Sequence, residues 1–168
     1  DYRERFGGEG AQFSYHSPVI GVPLDEMDYA YRSWSLATPD GVQWEYFARA
    51  GTDSIRYCGD DVAELRRFEN LADVSLGDRS EGSSNVPWDD GFVMTAPVGS
   101  FEPNPVGLHD ILGNVREVAI RDRASMEYES RGGSWHQGWL AARPVVNIEW
   151  VGGGHRSLGV RPVVLLRY

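Results

Sequence analysis

Cysteine is almost absent: Cys58 is the one thiol in 168 residues. A lone cysteine cannot close an internal disulfide, and small secreted domains are usually stapled, so the count favours the cytoplasm. No run of about 18 apolar residues occurs, which excludes an obvious membrane-spanning helix. The stretch Asp1 to Gly10 is polar and acidic instead of basic and then apolar, so it does not read as a signal peptide. Positive charge is also scarce, with 16 Lys and Arg against 25 Asp and Glu and a net charge of −9. Such a field repels phosphate backbones and anionic headgroups, and neither nucleic acid nor a membrane surface is an expected partner. Catalytic signatures are missing too: there is no GxSxG elbow, P-loop, GxGxxG, HExxH or CxxC pair. Gly152-Gly153-Gly154 is not followed by a helical pattern and cannot serve as a phosphate cradle.

What is present is aromatic and turn-forming. Six Trp, eight Tyr, 20 Gly and nine Pro within 41% hydrophobic content suit one turn-rich α+β domain. Residues 1–15 read as an extension or linker and residues 16–168 as the domain. Met27, Tyr31 and Trp34 recur at helical spacing behind Asp25, Glu26 and Asp28, which predicts a first helix over Leu24 to Leu36. Thr38-Pro39 reads as the N-cap and first turn of a second helix, Glu45 and Arg49 as an i,i+4 pair, and Gly51 as its left-handed stop. Strands are expected at Ala96 to Ser100, Arg131 to Trp135 and Gly159 to Tyr168, with Pro162 at the start of the last strand or at a bulge.

Four segments, in order, carry a family resemblance. Trp44-Glu45-Tyr46-Phe47-Ala48-Arg49-Ala50-Gly51-Thr52 is similar to WEYAARAGT, and Ala96 to Phe101 with Pro103-Asn104 to APVGSFPPN. Gly107-Leu108-His109-Asp110-Ile111-Leu112-Gly113-Asn114-Val115 is similar to GLYDMLGNV, and Arg131 to Trp135 with Gly159-Val160-Arg161 to RGGSW and GFR. The chain thereby resembles the formylglycine-generating-enzyme, or sulfatase-modifying-factor, superfamily, whose fold is C-type-lectin-like. Its members include a sulfatase-activating oxidase, sulfoxide synthases, a pyoverdine-maturation protein and binding proteins diversified by retroelements, so fold carries over better than function. Measured against them, residues 16–168 are expected to lack the family's N-terminal part, as a fragment or a compact variant would.

The resemblance implies two structural calcium sites. The first uses Asn70 with the carbonyl of Leu71 and Asp90 with the carbonyl of Phe92; the second uses Asp110, Glu117 and the carbonyls of Gly113 and Val115. Mixed carboxylate and carbonyl oxygens suit a hard ion with 6–8 ligands. Catalysis carries over less well. The oxidase branch holds copper on a cysteine pair just after GGSW, where this chain reads His136-Gln137-Gly138-Trp139-Leu140-Ala141-Ala142-Arg143 and offers no thiolate. Cys58 reads as a small buried residue. Arg116-Glu117-Val118 also replaces the family's Trp-Glu-Trp. The region from Ser134 to Ser157 gathers His136, Gln137, Trp139, Asn147, Glu149, Trp150 and His155, aromatic anchors among hydrogen-bonding groups as on recognition surfaces. Trp135 is expected in the core, and His136, Gln137, Trp139 and Asn147 at the surface. The expected function is a calcium-stabilised, lectin-like domain binding a protein or small-molecule ligand, with a retroelement-diversified variable protein as one version. The alternative is an oxidoreductase or tautomerase with an atypical site.

Overall fold

The structure is a computed structural model and describes residues 16–79, 84–149 and 157–164. Helix α1 spans Leu24–Ser33, with acidic Asp25 and Glu26 in its first turn and Arg32 in its last, as the helix dipole favours. Met27 and Tyr31, one turn apart, are its buried residues. The helix ends before the expected Leu36, because Ser35 takes a left-handed φ of 55°. Trp34 is therefore 72% exposed instead of completing the apolar stripe. Leu36–Ala37 become strand β1.

Helix α2 spans Gly41–Arg49, and its cap is Asp40, not Thr38. Asp40 accepts the Gln43 backbone N–H at 2.9 Å while the Gln43 side chain accepts the Asp40 N–H at 3.0 Å, a reciprocal capping box. Thr38 and Pro39 stay extended because the Pro39 carbonyl takes the Ile120 N–H at 2.9 Å. Ala50, not Gly51, is the C-cap in left-handed conformation, although Gly51 also has positive φ. The Glu45–Arg49 pair forms at 2.9 Å. A short helix α3, Leu65–Phe68, follows a turn of 3-10 helix at Val62–Glu64.

The sheet is built mostly from residues the sequence left as loop. Strands β2 (Arg116–Asp122), β3 (Glu127–Arg131), β4 (Asn147–Glu149) and β5 (Leu158–Gly159) lie in the order β4-β3-β2-β5. The β2–β3 and β3–β4 pairings are antiparallel and β2–β5 is parallel. On β2 the four residues Glu117 to Ile120 are all buried. Val118 packs with Met27 and Tyr31 of α1, whereas Ala119 packs with Trp44 and Ala48 of α2. Successive side chains of a strand point to opposite faces, so β2 is covered by a helix on each side. A strand buried on both faces loses the alternating pattern that identifies half-buried strands.

The other strand expectations fare unevenly. Ala96 to Ser100 is a turn, closed by the Ser100 N–H on the Pro97 carbonyl at 3.2 Å. The expected strand Arg131 to Trp135 begins where β3 ends: Gly132 has φ 73°, and a Cβ there would stand 2.9 Å from the Ile111 carbonyl oxygen. The C-terminal run is divided between β5 and β6 (Val163–Val164), with β6 pairing antiparallel to β1; Pro162 falls in the gap. Residues 165–168 lie outside the described residues. The main core gathers Trp44, Leu65, Leu71, Val86, Ile111 and Leu112 between α2 and the long loops.

Candidate functional site

The loop that follows α3 and the loop around Asp90 bring acidic groups together. Asp90 accepts the Phe92 N–H at 2.9 Å through Oδ1 and the Leu71 N–H at 3.3 Å through Oδ2. Its own N–H donates to Asp73 at 2.7 Å. Asp73, Asp89 and Asp90 each offer an oxygen within 4.8 Å of the other two. Burial, with Asp73 and Asp89 nearby, pushes the Asp90 carboxyl up to about 7. Beside them Asn70 is fully buried and donates its amide to the Met94 carbonyl at 2.8 Å, while its Oδ1 has no hydrogen-bond partner. Three clustered carboxylates and a buried amide oxygen without a partner are donors of the kind a hard cation takes. Of the expected set, Asp90 meets the N–H groups of Leu71 and Phe92, and Asn70 precedes Leu71 in the chain. Asp73 and Asp89, not among the expected residues, join Asp90 in this cluster.

The second expected set is engaged differently. Both oxygens of Glu117 are taken: Oε2 accepts Trp44 Nε1–H at 2.8 Å, and Arg161 pairs with Oε1 at 2.7 Å and reaches both oxygens through Nε. In this arrangement a calcium ion at this set would have to displace Arg161 from Glu117. Asp110 does retain an unpartnered buried oxygen, Oδ1. Its Oδ2 accepts the Gly99 N–H at 2.9 Å. Gly113 is packed so closely that a Cβ would meet the Asn70 carbonyl oxygen at 2.7 Å. A cavity of about 580 Å³ opens between Asp110, Glu117 and Arg161, bounded by Ser17 to Val19, Val98 and Val160. Arg161, quoted only as part of a motif, is the residue that sequence reading undervalued.

The C-terminal loop departs from its expected exposure. His136 is buried, 8% exposed, rather than at the surface. The Ser134 hydroxyl lies 3.1 Å from its Nδ1, and its ring tilts against Trp135 at 5.1 Å. Gln137 and Trp139 are half-buried. The carbonyl of Gln137 accepts the Ala72 N–H at 2.9 Å, which ties this loop to the acidic one. Arg56 and Arg143 stand 5.8 and 5.7 Å from the Trp139 ring, distances at which a guanidinium and an indole attract. Trp135, expected in the core, is also half-buried. Asn147 and Glu149 are placed on β4, opposite Arg131 and Glu129, but their side chains lie outside the description, as do Trp150 and His155 entirely.

Cys58 sits in a turn against the main core, and burial followed by the nearby Glu69 pushes its thiol up to about 11. Glu69 itself is fully buried; it accepts the Tyr57 hydroxyl at 2.8 Å and the Leu112 N–H at 3.0 Å.

Two helices flanking a small mixed sheet, with long hydrogen-bonded loops, define a C-type-lectin-like α+β domain. The chain belongs to the sulfatase-modifying factor enzyme 1-like domain family, which matches residues 2–164. It is 33% identical over 103 residues to the formylglycine-generating enzyme of Thermomonospora curvata, covering 60% of this chain and 32% of that protein. The enzyme of Mycobacterium tuberculosis gives 33% over 102 residues, again covering 60% of this chain and 32% of that protein. The chain thus spans about a third of the length of these relatives. Among solved structures, PvdO from Pseudomonas aeruginosa superposes with a TM-score of 0.68 at 22% identity, covering 90% of this chain and 63% of that one. Treponema denticola variable protein 1 gives 0.61 at 26% identity, covering 76% and 46%. Among the described residues no helix is long and apolar enough to cross a membrane.

Proposed function

We propose that this chain is a non-catalytic binding domain of the family, with a calcium ion holding the loops of Asn70 and Asp90. The observation that carries the reading is the chemistry of its single thiol. Oxidative formylglycine formation on copper needs paired soft thiolates, whereas Cys58 is half-buried with a raised pKa and packs against the core. His136 to Arg143, after the Ser134-Trp135 turn, supplies an imidazole, an amide and an indole, none of them a thiolate.

Calcium would be held by Asp73, Asp89, Asp90 and the Asn70 side-chain oxygen, with the carbonyls of Leu71 and Phe92 from the same loops. The Gln137 carbonyl on Ala72 then couples that ion to the C-terminal loop. The partner-facing surface is the rim around half-buried Trp139, where Leu140 and Val145 are 48% and 55% exposed. A protein or a small molecule meeting this rim would bury an aromatic anchor already oriented by two arginines.

The test is a pair of measurements on one sample. Mass spectrometry should find no formylglycine in a sulfatase-type cysteine peptide incubated with the chain, copper and oxygen. Titration calorimetry should find one calcium per chain, abolished by Asp90→Asn. Formylglycine above a no-protein control would overturn the binding reading; absence of calcium binding would remove the ion from it.

A further inference from the structure

Two guanidiniums approach the Trp139 ring, Arg56 at 5.8 Å and Arg143 at 5.7 Å, and among the described residues neither is in an ion pair. Arg49, Arg67, Arg123, Arg131 and Arg161, by contrast, each hold a carboxylate. The two unpaired cations also repel each other: burial, with Arg143 nearby, lowers the pKa of Arg56. They differ in what they have left to give. Arg56 is 1% exposed and spent on backbone, donating to the Ala142 carbonyl at 2.9 Å and the Trp139 carbonyl at 3.0 Å. Arg143 is half-buried, and its side chain donates no hydrogen bond among the described residues. Its Nε is enclosed without a partner, whereas Nη1 and Nη2, equally unbonded, are not enclosed. The end of the fork is therefore the part a ligand can reach. Beneath it the backbone is fixed on both sides, because the Ala142 and Pro144 carbonyls accept Arg56 and Arg131 at 2.9 and 3.3 Å. A donor fork on a rigid support needs little ordering when it binds.

We propose that Arg143 is a carboxylate-recognition point on the Trp139 rim, taking an Asp or Glu side chain of a partner protein on its two terminal nitrogens. This rests on the binding-domain reading and names what the rim takes. The planar fork matches the two oxygens of a carboxylate. A phosphate dianion would want a second accessible cation, and Arg56 cannot turn outward without giving up the Ala142 and Trp139 carbonyls. The chain's net charge of −9 does not forbid an acidic group in contact, because charges beyond about 8 Å are largely screened at physiological salt. Leu140 and Val145 flank Arg143 in the loop and are about half exposed, so the rim is open and partly apolar. Small ligands want most of their surface enclosed, whereas an arginine and a tryptophan beside open apolar side chains suit a protein partner.

The experiment titrates the full chain with acetyl-Leu-Glu-Leu-amide and acetyl-Leu-Gln-Leu-amide and follows chemical shifts, with the Trp139 indole N–H as reporter. Hexanoate and inorganic phosphate are further arms. The glutamate peptide should bind roughly fivefold tighter than the glutamine peptide, the margin of a charged over a neutral hydrogen-bonded pair, and tighter than hexanoate or phosphate. Arg143→Gln should bring the two peptides to equal affinity, whereas a merely structural role for Arg143 would weaken both alike and leave their ratio unchanged. Leu140→Glu, at an exposed position, sets a carboxylate on the same rim and should at least halve the preference without touching the buried groups. Equal affinity of the two peptides, no binding by either, hexanoate or phosphate binding as tightly as the glutamate peptide, or a preference that survives Arg143→Gln would each overturn the proposal. If Arg143→Gln does not fold, an undiminished preference in Leu140→Glu does so as well. The formylglycine and calcium measurements test the binding-domain reading separately, and equal binding of both peptides at the Trp139 reporter would keep the rim and remove only its carboxylate.

Discussion

Replacing Glu117 with alanine tests the wiring of the molecule's centre. The substitution strips one acceptor from Trp44 Nε1, which is 2% exposed, and the counter-charge from Arg161. Leaving a buried indole N–H unsatisfied costs about 1–3 kcal/mol. Breaking a fully buried ion pair costs about 3–5 kcal/mol, but the Arg161 side chain is 31% exposed, so water recovers part of that, leaving roughly 1–2 kcal/mol. The sum is about 2–5 kcal/mol, a large share of the roughly 5–15 kcal/mol that holds most domains folded. At about 2–4 °C per kcal/mol for a chain of this size, the melting temperature should fall by roughly 4–20 °C. Glu117→Gln keeps an acceptor for Trp44 and should lose less. Urea denaturation with and without calcium is the assay. The reasoning predicts the same loss in calcium and in chelator, because Glu117 serves protein donors and not an ion. A loss under about 1 kcal/mol, or one that vanishes in chelator, would refute it and restore Glu117 as a calcium ligand.

Other predictions follow from separate features. Asp90→Asn should abolish the rise in melting temperature that calcium produces in the wild-type chain, a gain of about 2.7 kcal/mol when calcium is a hundredfold above its Kd; an unchanged rise would refute the first site. Gly132→Ala should cost roughly 1–3 kcal/mol by equilibrium unfolding, since a Cβ there meets the Ile111 carbonyl oxygen at 2.9 Å in a left-handed backbone; a neutral result would mean that the loop yields. Cys58, with its thiol raised from 9.0 to about 11, should react with iodoacetamide at pH 8 at least ~100-fold more slowly folded than unfolded. The sign for stability follows: a proton held more tightly in the folded state stabilises fully below pH 9, and that contribution is lost as pH rises through 11. Labelling at the unfolded rate would show the thiol to be open.

What could be read from the sequence was whatever rests on local chemistry. The α2 motif, the Glu45–Arg49 pair and the packing of Met27 with Tyr31 follow from helical spacing, and all three are found. Its ends were less legible, because the choice between Thr38 and Asp40 as cap depends on a distant partner: the Ile120 N–H holds Pro39 in extended backbone. The central strand was hidden for a related reason. Arg116 to Asp122 shows no alternation since α1 and α2 bury its two faces, and its neighbour Glu127–Arg131 carries mostly polar side chains. Of that neighbour, Glu129 is buried and lies 2.7 Å from Arg131, so a polar strand is kept in the sheet by pairing its charges, which hydropathy cannot foresee.

The same distinction governs the candidate sites. Asn70, Leu71, Asp90 and Phe92 were grouped by resemblance alone, whereas Asp73 meets Asp90 only through the fold, accepting its N–H across seventeen residues. Asp110 and Glu117 sit seven positions apart and look like equal ligands on paper. Arg161 separates them: arriving from the end of the chain, it engages both oxygens of Glu117 and leaves Asp110 with one oxygen unpartnered. Because a carboxylate's contacts are set by the donors that reach it, the motif GLHDILGNVRE alone cannot say which of its acids is fully paired and which keeps an unpartnered oxygen. The contact from Arg161 decides it, and that contact spans 44 residues of sequence.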